Sequence, residues 1–397
     1  MMPKLLIVLI FIMVFIFEVR AEFIGGGKQD NDKLFVIRYE VNQEHEELKG
    51  SCTGTHLSPD WVITAAHCVT NVVENSVEPL ISIELALKAG VEFKTGVVKR
   101  VIVNPEYIKN ETAWQRLSLK KLLSAYEKNA TEKYQNLAMA NDTALIELQG
   151  NSWNGVQFPK IATPKSLVGE VDEINISGYG DHYTVWSKED DQFIDQTDEN
   201  IQGLQSGDVK LTCTLSDDYF YQFPAVEKIL NESQHIQPFY YFTSTITHVI
   251  ENEKSKVSFN QATLFDGDSG GGGFIKTDNG QTLLVSINSN TLDLGADKAE
   301  LRIERNGKII NIAANNMEAA FSAGWGDPSV DVKKISEAKK ILKDHKLLDA
   351  KGNLLPDVKI KRAYTNEQGN VLTNILFPTN QTFLKQYLPA NTFQAVK

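Results

Sequence analysis

Asp266-Gly267-Asp268-Ser269-Gly270-Gly271 is the stretch on which the reading of this chain turns. Alone it says little, because glycine-rich turns commonly contain Asp and Ser. Its weight comes from two other strings, Trp61-Val-Ile-Thr-Ala-Ala-His67-Cys68 and Asn141-Asp142-Thr-Ala-Leu-Ile-Glu-Leu148. A hydroxyl nucleophile needs a base to take its proton, and the base needs a carboxylate to hold its tautomer and stabilise its charged form. Ser269, His67 and Asp142 supply one group of each kind.

Short β-type runs surround these strings, which favours antiparallel sheets over a parallel sheet covered by helices. Leu34–Tyr39, Trp61–Thr64, Leu80–Leu85, Gly96–Val103 and Thr143–Leu148 read as strands of a first unit, and Glu173–Gly180, Val209–Leu215, Gly273–Lys276 and Thr282–Ile287 as strands of a second. Asn279-Gly280 between the last two is a strong hairpin signal, and Asn306-Gly307 within Leu301–Ile312 is another. Residues 113–138 carry Leu119, Leu122, Leu123 and Tyr126 at helical spacing, which predicts a surface helix packed on the first unit. Val332, Ile335, Ala338, Ile341, Leu342 and Leu348 predict a second helix over 332–348, and Lys359–Tyr364 with Asn370–Phe377 one more hairpin around Gly369. The acidic, Asn/Gln-rich part from Lys188 to Asn200 reads as an exposed loop.

The order His, Asp, Ser and the three strings together resemble the trypsin/chymotrypsin-like serine endopeptidase family. The resemblance spans roughly residues 23–345 and is strong at the three motifs. It implies an all-β fold of two six-stranded antiparallel β-barrels, with the inserted helix and a C-terminal helix plus extension added to it. The expected division is a signal peptide over 1–21, a first barrel over 22–155, a second over 156–330, and a C-terminal helix and extension over 331–397.

The resemblance also assigns roles. Ser269 would be the nucleophile, His67 the general base, Asp142 its orienting carboxylate, and the backbone N–H groups of Gly267 and Ser269 the oxyanion hole. Ser286 matches the position that supports the carboxylate. Thr263 stands six residues before the nucleophile, where Arg/Lys-specific members carry an acid. Asn288 would narrow the pocket entrance, so Thr263, Ser286 and Asn288 suggest a small or medium uncharged residue before the scissile bond. Gly324-Trp325-Gly326 is a candidate far wall. In the family a freed N-terminal amine pairs with the acid beside the nucleophile, which here would join Phe23 to Asp268. No metal or organic cofactor is implied, and the partner is a protein or peptide substrate of a monomeric enzyme.

The composition agrees with a globular protein, at 42% apolar and 23% charged residues over 397 positions. A net charge of −11 disfavours nucleic acid or an anionic membrane as partner. Lys4, the apolar run Leu5–Phe17 and Val19-Arg20-Ala21 describe a secretory signal peptide cut after Ala21, too short to span a bilayer. The expectation is therefore a secreted protein, periplasmic if bacterial, with no stable membrane association. Export permits disulfides. Of the three cysteines, Cys52 and Cys68 flank the His67 string, and the family usually bridges those positions; Cys213 would be a buried thiol. Sequons occur at Asn110, Asn129, Asn141, Asn175, Asn231 and Asn380, with Asn110 and Asn129 the best glycan acceptors. The competing reading is a catalytically silent homologue acting as a secreted binding module.

Overall fold

The structure, a computed structural model, describes residues 27–30, 32–41, 50–73, 76–79, 84–89, 92–118, 137–149, 156–164, 171–180, 182–187, 192–197, 204–212, 236, 238–251, 254–293, 298–306, 308–314 and 342–394. It is mostly β, with curled sheets and few helices. The proposed signal peptide, Phe23, Cys213, Asn129, Asn231 and the Gly-Trp-Gly at 324–326 lie outside the described residues.

Six strands close a barrel: β1 (Val36–Val41), β2 (Gly50–Ser58), β3 (Trp61–Thr64), β4 (Glu84–Ala89), β5 (Glu92–Val103) and β6 (Ala144–Gln149). Their order around the ring is β1-β2-β3-β6-β5-β4, closed by β1 on β4 through Ile37 and Ala89. Closure leaves no unpaired strand edge. Ile37, Tyr39, Val62, Ile63, Leu145 and Ile146, on the two faces of its strands, are all fully buried. Each such side chain stabilises the fold by about 1.5–3 kcal/mol. The Tyr39 and Thr64 hydroxyls share a hydrogen bond of 2.7 Å, so the buried phenol is satisfied.

The second unit departs from expectation. The remaining long strands form one curled sheet of eleven strands rather than a second closed barrel of six. Its members include β7 (Glu173–Gly178), β8 (Gln205–Lys210), β9 (Phe239–Glu251), β10 (Lys254–Phe259), β11 (Gly272–Lys276), β12 (Thr282–Asp293), β13 (Lys298–Arg305), β14 (Lys308–Ala314) and β15 (Val358–Asn374). The main path runs β8-β7-β11-β12-β15-β9-β10, with the β13–β14 hairpin attached to β15.

Strand β15 is the largest correction to the sequence reading. The sequence predicts an extension after the C-terminal helix, added to the two units, with a hairpin around Gly369. Instead one continuous 17-residue strand runs through that glycine and enters the middle of the sheet. It pairs with β9 from Phe239↔Thr373 to Ile250↔Arg362 and with β12 from Ser286↔Asn374 to Asp293↔Gln368. A side chain at position 369 would meet the Tyr241 hydroxyl at 2.6 Å, so the glycine admits a close neighbour and makes no turn. The boundary drawn at residue 330 therefore cuts through the second unit.

Two helices flank the sheets, α1 (Pro105–Ser118) and α2 (Pro378–Tyr387). Helix α1 begins eight residues before the predicted one. The Asn104 side chain accepts the Glu106 N–H at 3.1 Å, satisfying one of the first-turn donors. Helix α2 starts on Pro378, whose fixed φ suits a first helical position. It buries Phe383 and Leu384 in the core shared by both units, and thus takes the terminal-helix place assigned to 332–348. Of that segment only the end is described, and it is helical at 342–344. Part of the expected acidic loop is a ribbon, His182–Ser187 paired with Gln192–Thr197. No helix among the described residues is long and apolar enough to cross a membrane.

The sequons at Asn110, Asn141 and Asn380 are structural. All three side chains are buried, and their amides donate to the carbonyls of Glu106, Leu137 and Ala140. A glycan on any of them would break a buried hydrogen bond.

Candidate active site

Strand β3 ends on Thr64, and the buried pair Ala65-Ala66 leads into a short turn that carries His67 to the surface. Strand β6 begins on Ala144, just after the turn that carries Asp142. The two strands are neighbours in register, Thr64 opposite Ala144. The antiparallel pair therefore delivers both residues at the same end of the barrel. Asp142 accepts from the His67 backbone N–H at 2.9 Å and contacts its Nδ1 at 2.8 Å. With Nδ1 bearing the proton, Nε2 is left as the acceptor facing the cleft.

Burial raises the cost of charge on both partners, and their mutual attraction outweighs it. The Asp142 carboxyl is held below its ordinary value by the His67 charge, the imidazole hydrogen bond and a hydroxyl described below. The His67 imidazole is held above its ordinary 6.5, burial opposing and Asp142 prevailing. Its side chain remains 39% exposed, so it is open to the cleft.

Ser269 reaches the same cleft, an opening of about 300 Å³ that His67, Asp142 and Ser289 also line. The nucleophile turn is fixed by its backbone. Gly270 N–H donates to the Asn288 carbonyl at 2.8 Å and Asn288 N–H to the Gly271 carbonyl at 2.8 Å. From the barrel side, Thr53 donates its N–H to the Ser269 carbonyl and its hydroxyl to the Gly267 carbonyl, at 2.8 and 2.7 Å. Gly267 has φ +92°, a conformation that favours glycine. The N–H groups of Gly267 and Ser269 donate to no acceptor among the described residues, which leaves them open for an anionic oxygen.

Asp268 is fully buried beneath this turn. Its Oδ1 accepts from Gly180 N–H at 2.8 Å and its Oδ2 from Phe265 N–H at 2.9 Å. A side chain at position 178 would fall 2.0 Å from Oδ1, so glycine there is a steric requirement. Phe23, its expected activating partner, lies outside the described residues.

Of the three expected substrate-binding residues, Asn288 lines the cleft, while Thr263 and Ser286 are absent from its lining. The hydroxyl that supports Asp142 belongs to Ser289, which donates to Oδ2 at 2.7 Å. Ser286 is buried against Gly273 inside the sheet, and its Oγ has no hydrogen-bond partner among the described residues. The shift has a structural cause: the pairing of β12 with β15 skips a residue between Asn288 and Asn290, and this bulge turns Ser289 toward the carboxylate. Asn288 braces the nucleophile turn, donating to the carbonyls of Ser177 and Asp268 at 3.0 and 3.1 Å. Thr263 is fully buried and donates to Asn370 Oδ1 at 3.1 Å. Leu264, Phe265 and Asp266 line the cleft nearby.

Sequence reasoning also missed one wall. Tyr107, Glu111 and Trp114 of helix α1 line the cleft opposite Ser289, Asn290 and Thr291. Their i, i+4, i+7 spacing was a readable signal, running from just before the expected helix into its first residues. The Cys52–Cys68 bridge forms and joins β2 to the His67 turn. Its formation removes the thiols from the Cys52, His67, Cys68 group as metal ligands.

A carboxylate-oriented imidazole, a hydroxyl in the same cleft and two backbone donors without an acceptor among the described residues are the groups that a serine-protease mechanism uses. The family model for trypsin matches residues 24–198, and over that stretch the chain is similar to the trypsin family. The match contains His67 and Asp142 and ends before Ser269. Among solved structures, that of a scabies mite inactivated protease paralogue is 15% identical, over 67% of this chain and 85% of that one, at a TM-score of 0.37; likeness at that level decides nothing about activity. No curated protein matches.

Proposed function

We propose that the chain is a secreted serine endopeptidase that cleaves peptide bonds through an acyl-enzyme. The observation that carries this reading is the Asp142 carboxylate, which fixes His67 from two sides in a cleft that Ser269 shares. His67 Nε2 takes the Ser269 proton as Oγ attacks the substrate carbonyl. The Gly267 and Ser269 N–H groups receive the oxyanion, where one such donor is worth about 100- to 1000-fold in rate. His67 then protonates the leaving amine, and a water that gives its proton to His67 releases the acyl group. The raised imidazole pKa assists both proton transfers to it and sets an acidic limit on the reaction.

Thr263, in the place of an acid, is buried outside the cleft lining. It bonds Asn370, and Leu264, Phe265 and Asp266 form the neighbouring cleft surface, which supports a cut that is not Arg/Lys-specific. The disulfide fits export to an oxidising compartment.

One observation favours the silent-homologue reading: among the described residues no hydrogen bond joins Ser269 Oγ to His67. Free enzymes often hold such contacts long until substrate arrives, and labelling by a fluorophosphonate probe decides between the readings. The secreted protein is expected to label, and Ser269→Ala and His67→Ala to abolish or nearly abolish it. Absence of labelling on a folded, N-terminally processed sample would leave the binding module.

A further inference from the structure

Asp142 sits at the end of a turn that the barrel strands do not hold by themselves. Residues 137–142 return from the inserted segment, and their own bonds are local, Asn141 N–H to the Ala138 carbonyl and Asp142 N–H to the Met139 carbonyl. Three successive residues of this turn are gripped from outside by the C-terminal segment. Thr373, the penultimate residue of β15, donates its hydroxyl to the Met139 carbonyl at 2.7 Å. Asn380 of α2 donates to the Ala140 carbonyl at 2.9 Å. Thr379 donates to the Asn141 side-chain oxygen.

Asn380 is fully buried and spends its whole side chain on this junction. Its Nδ2 also donates to the Asn374 carbonyl at 2.8 Å, and its Oδ1 accepts from Asn104 Nδ2 at 2.9 Å. Asn104 is the residue that caps helix α1, and its own N–H bonds the Thr143 carbonyl at 3.0 Å. One amide thus ties together the end of β15, the start of the cleft-lining helix and the residues on both sides of Asp142.

We propose that Thr373 and Asn380 are positioning residues for the catalytic carboxylate: through the 139–141 turn, the C-terminal strand and helix set where Asp142 meets His67. This rests on the peptidase reading for its consequence in turnover, but the placement of Asp142 against His67 can be read without turnover. Position matters here because the ion pair and hydrogen bond act over a 2.8 Å contact, and a displacement of about 1 Å in a catalytic group can cost around 100-fold.

The test uses the full chain and the near-isosteric Thr373→Val, with Thr373→Ser as the variant that restores the hydroxyl. Imidazole NMR, with the His67 signal assigned by its loss in His67→Gln, reports the His67 titration directly. The charged groups that face His67 are Asp142 and, from α1, Glu111. Thr373→Val is expected to shift the His67 midpoint down toward the ordinary value by several tenths of a pH unit or more. Thr373→Ser should return it, and Asn380→Ala, if folded, should shift it in the same direction. In an active sample kcat should fall about tenfold in Thr373→Val with KM nearly unchanged. A His67 titration unchanged in a folded Thr373→Val, even with a lowered melting temperature, would overturn the proposal and leave a merely structural bond. Wild-type protein that fails to label with fluorophosphonate would sink the peptidase reading instead, with the NMR result standing on its own.

Discussion

The two walls of the cleft were built by different means. On the barrel side, β3 and β6 are adjacent in register and hand over His67 and Asp142 from strings a few residues long. On the sheet side, the hydroxyl on Asp142 and the brace on the 139–141 turn come from a bulge in β12 and from β15 and α2, distant in sequence from the motifs they serve. The first wall is local chemistry. The second depends on how far-apart segments pair, and truncating the C-terminal segment should expose that difference most sharply.

Deleting residues 349–397 removes β15 from between β9 and β12 and α2 from the shared core. The expected outcome is loss of the cooperatively folded second unit, read as aggregation or loss of the thermal transition, whereas a deletion variant that melts normally would break the comparison. A smaller and cleaner effect comes from the two serines of β12. Ser289→Ala takes a charge-assisted hydrogen bond from a buried carboxylate and should lower kcat about tenfold; Ser286→Ala should stay within about twofold. Equal effects would mean that the bulge does not place Ser289 as described.

The pH profile is gentler still. His67 must be neutral to accept the Ser269 proton, and Asp142 holds its pKa above 6.5 despite burial. Hydrolysis, kcat/KM against pH, should therefore rise through a midpoint above 6.5 and fall away on the acid side as His67 becomes charged. A midpoint below 6.5 would show that burial prevails over the carboxylate. Smallest of all, mass spectrometry of protein from a glycosylating host should find Asn110 unmodified, since its amide is buried and bonded to the Glu106 carbonyl.

The same contrast explains what the sequence could tell. Ala-Ala-His67-Cys68 and Asp142-Thr-Ala-Leu-Ile name their residues because each string carries its own strand and turn. The hairpin at Asn279-Gly280 was legible for a similar reason, and Gly280 takes φ +78° there. Asn306 also turns its chain, with φ +50° between the paired β13 and β14. Leu283-Leu-Val-Ser286-Ile-Asn-Ser289 was not, because strand alternation cannot reveal where a bulge shifts the count. Gly369 misled because a glycine between two apolar runs reads as a turn, while its role is to clear space for Tyr241. The Pro378 start of α2 was visible, but nothing local said that Asn380 would find Asn104 and Ala140.

Strand order has one further consequence, in time rather than in space. A ribosome delivers His67, Asp142 and Ser269 well before the strand that completes their surroundings exists. Until β15 emerges and threads between β9 and β12, the nascent chain carries the chemical groups of a protease without the frame that holds Asp142 in place. An early release or a nonsense truncation would therefore yield a fragment without the partners that β15 and α2 give the 139–141 turn.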